Sequence, residues 1–184
     1  MSLTKTITQY DHAIAKCRDV FAKKTKDYGT AWRVLRPSSL TDQLYIKAKR
    51  IRTIEETKEQ KVDEGIDSEF IALVNYAIMG LIQLRLKSDK LELSEAEALT
   101  LFDKEVAQIK ELMLNKNHDY GEAWRDMRIS SFTDMILQKL LRIRSIDDNG
   151  GKTLISEGID AGYSDIVNYA IFALIKLEEQ QNNS

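Results

Sequence analysis

The chain has 184 residues, with 27 basic against 29 acidic side chains, a net charge of -2, one proline, eight glycines and one cysteine. That size allows one domain or two small ones, and the balanced charge excludes a whole-molecule field for DNA or an anionic membrane, so any phosphate site must be local. Few helix breakers beside abundant Leu, Ile, Ala, Lys and Glu point to long helices and an all-α class.

The N-terminal MSLTKTITQYDH lacks the apolar run of a signal peptide, and the most apolar stretches are broken by Asn, Gln and Lys before membrane-spanning length. The reading is a cytoplasmic protein with neither membrane nor nucleic-acid partner. Tyr10, Ile14, Cys17 and Phe21 recur at helical spacing, which predicts a first helix with a core thiol, ended at Asp27-Tyr28-Gly29 by a glycine suited to the left-handed conformation. Ser39-Leu-Thr-Asp42 then has the form of a capping box, predicting a second helix through Leu44, Ala48 and Ile51. A third helix is expected from about Asp67 to Leu86, apolar nearly all round and therefore the most buried. Residues 88 to 100 form a polar connection in which Ser94-Glu-Ala-Glu97 caps the next helix.

The same three elements then recur. Phe102, Val106, Ile109 and Met113 carry the helical stripe, Gly121 ends it, and Ser131-Phe-Thr-Asp134 announces a helix through Ile136, Leu140 and Ile143. Asn149-Gly150-Gly151 marks a turn, a third helix is expected from about Asp160 to Leu177, and the polar tail from Glu178 to Ser184 is expected to fray. Shifting the chain by 92 positions aligns residues 26 to 54 with 118 to 146 at 16 of 29 identities; one residue further on, 64 to 78 aligns with 157 to 171 at 9 of 15. The chain is a tandem duplication. Two repeats are too few for a solenoid, so residues 1–90 and 91–184 are expected to pack as one globular, pseudo-twofold helical bundle of two three-helix repeats.

Certain residues could carry chemistry. Glu64 and Asp67, or Glu157 and Asp160, stand three apart, the spacing by which one helical turn offers two carboxylates to a divalent cation; helix capping by the aspartates and solvation of the glutamates account for them equally well. Asp165 adds a third carboxylate in the second copy, where the first has Ala72, so the second copy is expected to be the better metal site. Lys47 with Arg50, and Lys139 with Arg142, form small cationic faces that suit either phosphate oxygens or ion pairs with those acids. Asn75 and Asn168 sit in Val-Asn-Tyr-Ala-Ile, and such a buried amide is either a structural link between helices or a ligand contact. Asp119, Tyr120 and Trp124, like their counterparts Asp27, Tyr28 and Trp32, gather an acid and two rings after the helix stop. A stacked base is one reading and a buried Trp anchor the other. No His/Cys cluster, P-loop or serine triad appears, and no catalytic residue is assigned.

Lys-Asp-Tyr-Gly, Ala-Trp, the Lys/Arg helix and Asp-x-x-Asn-Tyr-Ala together resemble the nucleotide modification associated domain, type one, a family from Bacteroidetes and phages with no assigned reaction; the resemblance spans residues 18 to 86 and 110 to 177. More remotely, the ExxD pair resembles MazG-like all-α nucleoside triphosphate pyrophosphohydrolases. That likeness implies a magnesium cofactor held by Glu157, Asp160 and Asp165, or by Glu64 and Asp67, with a metal-bound water attacking phosphorus and Lys139 and Arg142 holding phosphates. Those enzymes also carry an ExxE pair on the preceding helix, and neither copy has one at a matching place. A non-catalytic nucleotide-binding or regulatory protein, and a structural interaction protein, are the alternatives; a homo-oligomer is compatible with each.

Overall fold

The computed structural model describes residues 2–58, 65–154 and 157–183. Among them the chain forms six helices, α1 (Ser2–Tyr28), α2 (Pro37–Thr57), α3 (Ile66–Arg85), α4 (Glu95–Tyr120), α5 (Ile129–Asp148) and α6 (Ile159–Asn182), and no strand. Short 3-10 turns at Ala31–Val34 and Ala123–Asp126 follow α1 and α4. The fold is therefore all-α and built from two like halves.

Local chemistry sets the boundaries. Gly29 and Gly121 follow α1 and α4 with φ of 70° and 64°, a conformation that costs other residues a Cβ clash. Ser94 opens α4 with a full capping box: its hydroxyl accepts from the Glu97 amide at 3.1 Å and the Glu97 carboxylate accepts from the Ser94 amide at 3.1 Å. The capping boxes expected at Ser39 and Ser131 do not form. α2 and α5 start three residues earlier, after Arg36 and Arg128, with no side-chain cap. In α2, Pro37 takes the first position, where its missing N–H is no loss. The acids of those expected boxes serve the interface between halves instead: Asp42 pairs with Arg144 at 3.1 Å and Asp134 with Arg52 at 3.6 Å. These two pairs interchange under the pseudo-twofold. The C-terminal tail also departs from expectation, since α6 runs on to Asn182. Glu178 binds His12 and Lys16, and Glu179 binds Lys5 and Arg125, so ion pairs to α1 and to the second 3-10 turn hold what would otherwise fray.

α3 and α6 pack against each other at the centre, with α2 and α5 beside them and α1 and α4 outside. Phe70, Leu73, Ile78 and Leu81 of α3, and Tyr163, Ile166 and Ile171 of α6, are wholly buried; each such side chain contributes about 1.5–3 kcal/mol of transfer free energy. The helices meet closely at Gly80, where a Cβ would lie 2.9 Å from the Tyr163 ring. Tyr163 in turn donates its hydroxyl to the Pro37 carbonyl at 3.0 Å and shares a 2.6 Å hydrogen bond with Thr41. Among the described helices, α3 alone has the length and apolarity to cross a membrane, and more than half of it is buried in the fold. Cys17 is buried, and burial pushes its thiol up to about 12, so it behaves as a core residue.

Candidate ligand-binding site

Among the described residues, the carboxylates marked by the sequence do not gather into one cluster. Glu64 lies outside the described residues. Asp67 is exposed on the first turn of α3, with its Oδ1 folded back over Gly65. Asp160 lies 3.5 Å from an Arg85 nitrogen. Asp165 is only 6% exposed, and its two oxygens meet Lys116 at 2.8 Å and Lys139 at 3.0 Å. Glu157 is exposed and borders a cleft of about 250 Å³ that also touches Lys139, Arg142 and Asp165. Among the described residues no three His, Cys, Asp or Glu side chains form a group fit for a metal ion. Of the three carboxylates expected to cluster, Asp160 is paired with Arg85 and Asp165 with two lysines, while Glu157 is exposed at the cleft.

The cationic faces explain a second departure. Lys47 and Arg50 lie 3.7 Å and 3.1 Å from Oε1 of Glu69, which is 1% exposed. Glu69 aligns with Gly162, just as Ala72 aligns with Asp165. The first copy therefore does not lack the buried acid; it carries it one helical turn earlier. Both positions face the same Lys/Arg helix, because residues three apart share a helix face. The signal was present in the alignment as two compensating mismatches.

A cavity of about 520 Å³ opens beside Glu69, between α1, the first 3-10 turn, α2 and α3. Phe21, Trp32, Ile71, Tyr76 and Met79 make it mainly apolar, Lys47 and Glu69 border it, and Lys24 and Tyr28 stand exposed at its rim. Three polar atoms of its lining are buried without a hydrogen-bond partner: Trp32 Nε1, Glu69 Oε2 and Asn75 Oδ1. Their residues are 7%, 1% and 6% exposed. The other end of the Asn75 amide is satisfied, with Nδ2 donating to the Cys17 carbonyl at 3.0 Å. An orphaned buried polar group costs ~1–3 kcal/mol, and three in one cavity call for an explanation.

The second copy supplies an internal comparison. Asn168 Nδ2 donates to the Ile109 carbonyl at 3.3 Å, the counterpart of the Cys17 bond, but Asn168 Oδ1 also accepts from the Tyr10 hydroxyl at 2.7 Å. The residue aligned with Tyr10 is Phe102, which has no hydroxyl to offer Asn75. Trp124 Nε1 donates to Glu122 at 3.2 Å. In the first copy Thr30 stands at that place, and its hydroxyl is turned to the connection between halves, donating to the Leu91 carbonyl and accepting from the Leu93 amide. Phe172, aligned with Met79, stacks on Trp124 at 4.4 Å and 8°, and the Arg125 guanidinium lies 4.4 Å from the centroid of the same Trp124 ring. Lys116, aligned with Lys24, reaches in to Asp165. Every group left open in the first copy is closed by the protein itself in the second.

Several marked residues thus lie away from the cavity. Asp119 and Tyr120 are exposed, Asp119 3.2 Å from His118 and Tyr120 at 76% exposure. Trp124 is buried as a core anchor, Arg142 is exposed at the smaller cleft, and Asn168 is a satisfied structural amide. Lys47 and Asn75 do border the cavity, with Arg50 behind Glu69.

The comparison with protein families fits this two-copy organisation. No curated protein and no solved structure matches the chain. The family described as nucleotide modification associated domain 1 matches twice, over residues 24–84 and 116–177, so that the cavity-lining segments of the first copy from Lys24 to Met79 fall within the first match. The chain belongs to the nucleotide modification associated domain 1 family and carries two tandem copies of its domain.

Proposed function

We propose that the chain is a nucleotide-binding protein whose site is the cavity of the first copy, with the base inside and the phosphates toward Lys24 and Lys47. The observation that carries this reading is the set of orphaned atoms, Trp32 Nε1, Glu69 Oε2 and Asn75 Oδ1, in a single mainly apolar cavity. Pockets for small molecules combine apolar and aromatic walls with a few placed polar groups, in volumes of roughly 300–1,000 Å³. Phe21, Trp32 and Tyr76 supply ring faces for a flat heterocycle. The family's association with nucleotide modification, and the absence of comparable orphaned atoms among the described residues of the second copy, point the same way. We place the protein in the cytoplasm, where a buried free thiol is at home.

A magnesium-dependent pyrophosphohydrolase is supported less well. Among the described residues the carboxylates do not fit the ion as they stand, since Asp165 is held by two lysines and Asp160 by Arg85. Calorimetry and thermal melting with nucleosides and their mono-, di- and triphosphates, each with and without magnesium, separate the readings. Binding predicts a melting temperature that rises with nucleotide alone, reflecting the ~2.7 kcal/mol of stabilisation expected at a hundredfold excess over Kd. Absence of heat and of any melting shift at millimolar nucleotide overturns the proposal. Pyrophosphate release that requires magnesium would move the hydrolase reading ahead.

A further inference from the structure

Resting on the reading of the first-copy cavity as a base site, we infer that it selects amino-bearing nucleobases, namely adenine, cytosine and guanine, over uracil, thymine and hypoxanthine. The orphaned atoms are two acceptors and one donor: Asn75 Oδ1, Glu69 Oε2 and Trp32 Nε1. An exocyclic amino group brings two N–H donors to one edge of a base, next to a ring nitrogen or carbonyl that can accept. Uracil, thymine and hypoxanthine carry an oxo group where cytosine and adenine carry the amine, so they would set a carbonyl oxygen against a carboxylate or amide oxygen. Asn75 cannot turn its amide to adapt, because its Nδ2 is committed to the Cys17 carbonyl at 3.0 Å. Glu69 is fixed as well: Oε1 faces Lys47 and Arg50, leaving Oε2 as the oxygen without a partner. The acceptor pair is therefore set by contacts on the other atoms of the same two side chains, with the Cys17 carbonyl on Asn75 and with Lys47 and Arg50 on Glu69, which is what makes it a filter.

Sites built to hydrogen-bond a substrate group reject analogues that lack it, because the buried partner is then left unpaired. A charged acceptor raises the effect, and we expect a discrimination of about tenfold or more. The test is calorimetry on the full chain with unphosphorylated nucleosides in matched pairs: adenosine against inosine, guanosine against inosine, and cytidine against uridine. Each pair differs in an amino group and leaves the sugar unchanged. The expected result is tighter binding of the amino-bearing member in every pair. Glu69→Gln adds a directional check. Lys47 and Arg50 will hold the amide oxygen, which turns the amide nitrogen toward the cavity and replaces an acceptor with a donor. The discrimination should then collapse or reverse, with the fold checked by thermal melting. If nucleosides bind with ratios near one, or the oxo members bind tighter, this inference is overturned while the binding site stands. If no nucleoside binds, the base-site reading falls with it. The wild-type ratios decide the matter even where the variant does not fold.

Discussion

Phe102→Tyr should close the first-copy site by the device the second copy already uses. Tyr10 donates to Asn168 Oδ1 at 2.7 Å, and Phe102 is its aligned counterpart, fully buried and with its ring 4.8 Å from that of Phe21 on the cavity wall. A hydroxyl added there meets Asn75 Oδ1, an acceptor with no partner. A net gain of about 1 kcal/mol is the ordinary value for one buried hydrogen bond, and for a chain of this size it raises the melting temperature by ~2–4 °C. A base must then displace that hydroxyl to use the same oxygen, so nucleotide affinity should fall by about tenfold, the equivalent of ~1.4 kcal/mol. Melting without ligand and calorimetry with it read the two effects separately. The diagnostic result is opposite signs: a more stable apo protein and a weaker binder. A variant destabilised by ~1–3 kcal/mol, the cost of an unpaired buried hydroxyl, would refute the symmetry argument, because the hydroxyl would then have found no acceptor.

Three further outcomes follow from the same contacts. Asp165→Asn removes the carboxylate that faces Lys116 and Lys139, 2.8 Å and 3.0 Å away; with Lys116 half exposed and able to rehydrate, a loss of ~1–3 kcal/mol in urea unfolding is expected, below the 3–5 of a fully buried pair, and unchanged stability would contradict the pairing. Burial raises the phenols of both Tyr10 and Tyr163, the latter to about 12. The folded state keeps these protons after the unfolded chain has lost them, so the stability they confer is complete below about pH 10 and is lost as pH rises, by ~1.4 kcal/mol per pH unit for each phenol. Tyr163→Phe should be less stable at pH 7, having lost its bonds to Thr41 and the Pro37 carbonyl, yet fall less steeply above pH 10; parallel pH profiles would rule this out. Residues 1–90 alone expose the face of α3 that α6 covers, so they should aggregate or remain uncooperative in circular dichroism melts; a monomeric, cooperative fragment would show that each half folds by itself.

The helices are legible in the sequence because the apolar stripes are long and regular, and the glycine stops are legible because Gly29 and Gly121 have a steric reason to be glycine. Ser94 with Glu97 forms the capping box its spacing predicts, whereas the same pattern at Ser39 and Asp42 forms none. What separates them is tertiary: Asp42 has Arg144 across the interface, and Pro37 has already started the helix. The ordered tail escapes a sequence reading for a similar reason, since the partners of Glu178 and the Lys5 partner of Glu179 lie more than 150 residues away on α1. The site is half legible. Asn75, Lys47 and the tryptophan positions stand out, but a sequence ranks the copies by carboxylate count and cannot see which of those carboxylates are ion-paired. Whether a buried acid is a free ligand or half of an ion pair depends on which lysine reaches it, and Lys116 lies 49 positions from Asp165.

The differences between the copies form a set, which is why they carry weight. A duplicated domain released from binding can exchange open polar groups for internal partners, and each exchange stabilises it; a binding site forgoes that stability. The second copy has a hydroxyl from Tyr10 on its asparagine, a carboxylate from Glu122 on its tryptophan, a ring from Phe172 across that tryptophan, and Lys116 drawn in by Asp165. The first copy has threonine, methionine and alanine at the matching places, and the residue of the second copy aligned with Tyr10 is Phe102, which has no hydroxyl to offer Asn75. Any one of these substitutions is ordinary by itself. Acting together they leave buried polar groups open in one copy and close them in the other, while the Arg52–Asp134 and Arg144–Asp42 pairs link the two halves. On the proposed reading only the first copy offers open groups, so a single chain is expected to bind one ligand, with a calorimetric stoichiometry near one rather than two.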